Sequence, residues 1–69
     1  MEHLIDARGL RCPLPLLRAR GALTTLAPED TLVVLADDPE APLDLAALAH
    51  DTGRVFTADG DRLVLAPDQ

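Results

Sequence analysis

Asp6-Ala7-Arg8-Gly9-Leu10-Arg11-Cys12-Pro13-Leu14-Pro15 is the stretch on which the fold turns. It contains the only cysteine, two of the six prolines and two of the six arginines of a 69-residue chain. Upstream, His3-Leu4-Ile5-Asp6-Ala7 is short and partly apolar and reads as a strand, with Gly9 following as a turn signal. Downstream, Leu16, Ala19, Leu23, Leu26 and Ala27 recur at helical spacing, and Arg18, Thr24 and Thr25 lie on the opposite face. This places Cys12 at the N-cap of a first helix and Pro13 at its first helical position, where a fixed φ and a missing N–H do no harm. Gly21 within that helix costs about 1 kcal/mol relative to Ala, and Ala27-Pro28-Glu29-Asp30 ends it.

Further on, Thr31 to Ala36 is a continuous apolar run with β-branched residues, the signature of a strand covered on both sides or central in a parallel pair. Asp37-Asp38-Pro39-Glu40-Ala41-Pro42 is a loop by composition, and Pro42 opens a second helix whose first turn holds Asp44, favourable to the helix dipole. Ala41, Leu45, Leu48 and Ala49 share one face of that helix, which stops at Asp51-Thr52-Gly53. Arg54 to Ala58 and Arg62 to Ala66 flank Asp59-Gly60-Asp61 and predict an antiparallel hairpin. Ala66-Pro67-Asp68-Gln69 reads as a tail. The order is β-α-β-α-β-β over a single domain spanning residues 1–69. Right-handed crossovers advancing in one direction put both helices on one face of the sheet. The predicted class is therefore α/β of the two-layer α+β sandwich kind, a mixed four-stranded sheet with two helices on one face, the strand order left open. The uncovered sheet face is a candidate partner surface.

Composition narrows the function. The net charge is −6, and the six basic residues are all arginine. That balance argues against direct nucleic-acid binding, which needs clustered cations for the phosphates, and Phe56 as sole aromatic cannot form a stacking platform. One cysteine cannot make an internal disulfide, so no oxidising compartment is implied. The N-terminus lacks the pattern of a signal peptide, and no apolar run approaches the ~20 residues of a membrane span. The expectation is a cytoplasmic protein with no membrane association. About 60% of the unfolded surface is buried in a domain of this size, so the stability margin is slim.

In open α/β sheets, sites collect beyond the carboxyl ends of the parallel strands. That end carries Cys12 on one loop and Asp37 and Asp38 on another. A lone cysteine is commonly a small buried hydrophobe, but one flanked by arginine and proline in a loop-to-helix turn is badly placed for the core. The helix N-terminus and Arg11 lower a thiol pKa, and Asp37 and Asp38 oppose them, so a modestly activated thiol is expected. Pro13 and Pro15 stiffen the turn, and both should be replaceable by alanine without loss of the fold. A zinc site needs about four clustered ligands, and His3 and His50 are far from Cys12 in sequence. His50 reads as a residue at a helix C-terminus and His3 as a solvated strand residue. Cys–His hydrolysis needs a paired base and an oxyanion hole, and a thioredoxin-like mechanism needs a second thiol. No metal and no cofactor are called for. What remains is chemistry that one thiolate performs alone, such as carrying a sulfane sulfur as a persulfide. The competing class is a non-catalytic regulatory or protein-interaction module.

Asp6-Ala7-x-Gly9-Leu10-x-Cys12-Pro13-x-Pro15, followed by Ala36-Asp37-Asp38-Pro39 and Asp44, resembles the TusA/SirA (YedF-like) sulfur-carrier family from about Ile5 to about Leu65. The resemblance implies the same β-α-β-α-β-β sandwich and makes Cys12 the sulfur-accepting cysteine. It implies a sulfurtransferase that takes persulfide sulfur from a cysteine desulfurase or a rhodanese and passes it to a protein acceptor. Destinations in the family are tRNA thiolation, molybdenum-cofactor formation and sulfur oxidation. Gly9, Pro13 and Pro15 carry over as turn formers and Asp38 as a motif residue near the thiol, while Arg11 and Arg18 are docking charges by position only. Leu43 to Asp51 departs from the family pattern in being rich in alanine and short of bulky or basic residues.

Overall fold

The structure, a computed structural model, describes residues 1–68, so Gln69 of the expected tail lies outside the described residues. Its elements are β1 (Glu2–Asp6), α1 (Leu14–Leu23), β2 (Thr31–Leu35), α2 (Ala41–Asp51), β3 (Arg54–Asp59) and β4 (Arg62–Pro67). The sheet order is β1-β2-β4-β3. β1 runs parallel to β2, and β4 runs antiparallel to both β2 and β3. The second crossover therefore steps over one position, and the returning hairpin strand fills the gap. The mixed four-stranded sheet, with two helices on one face, has the predicted architecture.

β2 is apolar along its length because it is the central strand. Leu32, Val33 and Val34 are all buried. Leu32 and Val34 join Leu63 and Leu65 of β4 beneath Ala19 of α1 and Ala41, Leu45, Leu48 and Ala49 of α2. The α2 residues are the four whose spacing predicts that helix's inner face. Ile5 and Phe56 close the core at the two edge strands. Alternation along the strands sends Leu4, Val33, Val64 and Val55 to the other sheet face. Leu4 and Val55 are exposed there, while Val33 is covered by its neighbours.

The hairpin turn is tighter than the sequence suggests. Asp59 pairs with Arg62, leaving only Gly60 and Asp61 between the strands. Gly60 has φ +60 at the first of these positions, the backbone that a type II′ turn reserves for glycine. β4 runs one residue past the expected Ala66, so Pro67, expected in a tail, belongs to the strand.

Helix α1 departs from expectation at both ends. It ends at Leu23, with Thr24 as C-cap, so Leu26 and Ala27 lie beyond it. The Thr24 and Thr25 hydroxyls donate to the carbonyls of Gly21 (2.6 Å) and Ala22 (2.9 Å), a local alternative to continued helix. Leu26 still packs on the core from outside the helix. At the start, Pro13 rather than Cys12 is the N-cap, the Cys12–Pro13 peptide is cis, and Leu14 is the first helical residue. Pro15, at the second helical position, is fully buried, so its ring is part of the core and not only a stiffener of the turn.

That burial gives replacement of Pro15 a cost that the exposed Pro13 does not share. Pro15→Ala should lower unfolding free energy by roughly 2 kcal/mol, from lost apolar burial and a freer unfolded chain. Leu43→Ala, at a position 72% exposed, should change it by less than about 0.5 kcal/mol. Urea titrations of the two variants against wild type check the contrast.

Candidate functional site

The loop from β1 to α1 is built by short-range bonds and then pinned from across the sheet. Asp6 accepts the Arg8 backbone N–H at 3.1 Å and pairs with the Arg8 guanidinium through Nε at 2.9 Å and Nη2 at 2.8 Å. The guanidinium holds the Asp6 carboxyl down to about 2. Gly9 has φ +85, a left-handed conformation costly for a residue with a side chain. Two neighbouring carboxylates from the loop after β2 then take hold. The Gly9 N–H donates to Asp37 Oδ1 at 3.0 Å, and the Cys12 N–H donates to Asp38 Oδ2 at 3.0 Å. Asp38 is 8% exposed, and its carbonyl accepts the Ala41 N–H at 3.0 Å at the start of α2. One residue thus ties the cysteine's backbone to the opening of the second helix.

The Cys12 side chain is exposed, and its S–H donates to Asp44 Oδ2 at 3.2 Å. Asp44 stands in the first turn of α2. Its bond to the thiol is the largest cause pushing the Cys12 pKa up, followed by partial desolvation and the negative charge of Asp44, Glu40 and Asp38. The expected activation of this thiol is therefore reversed. Loss of the proton would set a thiolate against Asp44 and beside two further carboxylates, and the exposed Arg11 does not offset them. The helix N-terminus also contributes less than anticipated, because Cys12 precedes the N-cap and the Leu14 N–H already donates to the Arg11 carbonyl at 2.8 Å.

Of the residues singled out from the sequence, Gly9, Cys12 and Asp38 meet at this end of the sheet. Pro13 lies between the thiol and α1, Pro15 points into the core, and Arg11 remains on the surface. Leu14 and Leu17 of α1 and Leu43 of α2 are exposed on the helices that bracket the thiol. Two roles were missed: Asp37 as the anchor of Gly9, and Asp44 as the thiol's acceptor. Asp44 was read as a dipole residue, but a first-turn position on the helix that follows the Asp37-Asp38 loop lies at the same end of the sheet as Cys12. His3 is half-buried, with Nε2 3.4 Å from Asp30 Oδ2 at the far end of β1, not a freely solvated residue. His50 is exposed in the last turn of α2.

The profile of a family described as sulfurtransferase TusA matches residues 3–63. Two proteins of Neisseria meningitidis, one from serogroup A and one from serogroup B, both provisionally named sulfur carriers, are 49% identical over 55 residues. Those alignments cover 80% of this chain and 74% of each relative. The crystal structure of a SirA-like protein from Desulfitobacterium hafniense superposes with a TM-score of 0.81 at 27% identity, covering all of both chains. The matched segment contains the strand, the pinned loop, the thiol and both helices described above, and the chain belongs to the TusA sulfurtransferase family of sulfur carriers.

Proposed function

We propose that this protein accepts a sulfane sulfur on Cys12 and relays it as a persulfide between two protein partners. The observation that carries the reading is the exposed Cys12 thiol, held in a loop whose backbone is fixed to Asp37 and Asp38. Among the described residues no cavity encloses it. A thiol on an open surface suits reaction with another protein's persulfide better than capture of a small free substrate. In loading, the Cys12 sulfur attacks the outer sulfur of a donor persulfide R–S–SH. The donor S–S bond breaks, R–S⁻ leaves and takes up a proton, and Cys12–S–SH forms. Unloading is the same exchange with the acceptor's thiolate as attacker and Cys12 as leaving group, so no oxidant or reductant is consumed.

A cysteine desulfurase or a rhodanese is the donor in this reading, and the acceptor is a protein of tRNA thiolation, molybdenum-cofactor formation or sulfur oxidation. The reaction requires no cofactor, no metal and no direct contact with nucleic acid, and the cytoplasm is its natural setting. Among the described residues no helix is long and apolar enough to cross a membrane. Asp37 and Asp38 serve as positioning residues for the loop, Gly9 supplies its left-handed turn, and Pro13 and Pro15 lead the chain from the thiol into α1. Arg11 and the exposed Leu14, Leu17 and Leu43 are surface available to the partners. The second reading, a non-catalytic interaction module, is favoured only by the open sheet face with Leu4 and Val55 exposed.

After incubation with a persulfide donor and removal of excess, intact mass should rise by one sulfur atom in wild type and stay unchanged in Cys12→Ser. An equal gain in the serine variant refutes carriage on Cys12, and a Cys12→Ala protein that keeps every activity selects the interaction module. A second expectation concerns pH. Only the thiolate alkylates, and the thiol is pushed up by its carboxylate neighbours. Iodoacetamide labelling of the isolated protein should therefore be slow at neutral pH. Its midpoint should lie above the ~8.5 of an ordinary cysteine. A midpoint below that value would show that the Asp44 contact does not persist in solution.

A further inference from the structure

The thiol is surrounded by charge of one sign. Asp44 Oδ2 accepts the S–H at 3.2 Å, Asp38 accepts the backbone N–H of the same residue at 3.0 Å, and Glu40 is the N-cap between them on the α2 side. Asp37 is bonded to Gly9 one turn earlier in the loop. The one cation adjacent in sequence, Arg11, is exposed, and Arg8 of the same loop is paired with Asp6. Of these carboxylates only Asp44 touches the sulfur itself. Asp37 and Asp38 each have one oxygen bonded to a backbone amide of the thiol loop. The Asp44 carboxylate makes no such bond among the described residues, and its partner is the reacting atom.

Resting on the persulfide reading, we infer that Asp44 is a specificity-determining residue: its carboxylate, in contact with the thiol, makes Cys12 selective for sulfur donors that present a positive charge beside the sulfur they transfer. The geometry requires this coupling. To attack, Cys12 must lose its proton while a carboxylate oxygen sits within hydrogen-bond distance, so the developing thiolate and Asp44 repel each other. A donor that places a basic side chain against Asp44 removes the repulsion and frees the thiolate at the moment its sulfur is in reach. A neutral or acidic donor does not. The partner class this fits is a persulfide-bearing protein whose active-site rim carries lysine or arginine, complementary to a carrier of net charge −6. The isolated carrier is correspondingly protected from stray electrophiles.

The test uses two methanethiosulfonates of similar size, one carrying a trimethylammonium group and one a sulfonate. Each is attacked at its sulfenyl sulfur by the Cys12 thiolate, forming Cys12–S–S–R and releasing methanesulfinate, so each reports sulfur-to-sulfur attack with charge as the main variable. Wild type should react faster with the cationic reagent. A unit charge a few Å away in water changes a rate by about fivefold, in opposite directions for the two reagents, so Asp44→Asn should lower the cation-to-anion rate ratio by up to about 25-fold and shift the pH midpoint of labelling downward. Asp44→Glu should restore part of the ratio. Asp51→Asn removes the same net charge at the exposed far end of α2 and should leave the ratio unchanged. A ratio in folded Asp44→Asn within about twofold of wild type, or an equal fall in Asp51→Asn, overturns the inference. Should wild type fail to gain sulfur from a persulfide donor while the ratio still falls in Asp44→Asn, the carrier reading fails and the Asp44 effect on the thiol stands.

Discussion

The hydrogen bond from the Cys12 N–H to Asp38 is the contact that the rest of the molecule serves. The cysteine belongs to the crossover after β1, the carboxylate to the crossover after β2, and their meeting depends on those strands lying side by side and parallel. That pairing brings both carboxyl ends to one edge of the sheet. A neutral cap or a water could satisfy the amide, but neither would join two crossovers. Because Asp38 is buried and its carbonyl also opens α2, the bond couples the thiol loop to the packing of the second helix and, through Leu45 and Leu48, to the core. An ion of this kind is tolerated at low exposure because it is hydrogen-bonded where it sits.

The neighbouring carboxylates divide between construction and chemistry. Asp37 and Asp38 spend their charge on backbone donors, which orients the loop. Asp44 spends its charge on the sulfur, which suppresses ionisation. Many reactive cysteines are activated by nearby cations or a helix N-terminus. Here the helix begins one residue too late for the cysteine to cap it, Pro13 and Pro15 bring no N–H groups, and the environment is acidic. For a carrier that must travel between partners, low intrinsic reactivity is compatible with function. A permanently ionised thiol would react with the first electrophile it met.

Much of this was legible in the sequence because the relevant signals are local. The Thr31–Ala36 run could only be a shielded strand, Ala41, Leu45, Leu48 and Ala49 fell on one helical face, and Gly60 between two extended runs demanded a hairpin. The Asp6–Pro15 segment announced a strand-to-helix turn with a thiol in it. What could not be read was tertiary. The insertion of β4 between β2 and β3 leaves no local mark, since an antiparallel hairpin has the same pattern at an edge as at a centre. The burial of Pro15 depends on how α1 lies across the sheet. The thiol's raised pKa depends on Asp44, 32 residues away in the chain, so reasoning from Arg11 and the helix end had the wrong sign. Thr24 and Thr25 did carry a local signal for the end of α1, but apolar spacing through Leu26 and Ala27 outweighed it.

The position of β4 has a consequence for how the molecule is made. The strand that completes the middle of the sheet comes last of the four in chain order, and among the described residues β2, the most deeply shielded strand, pairs on that side with nothing else. Until β4 has left the ribosome, β2 presents an apolar ladder edge of the kind that recruits foreign strands. The thiol loop precedes β4 in chain order and thus waits for that strand before its supporting sheet is sealed, and loss of β4 exposes an aggregation-prone edge along β2.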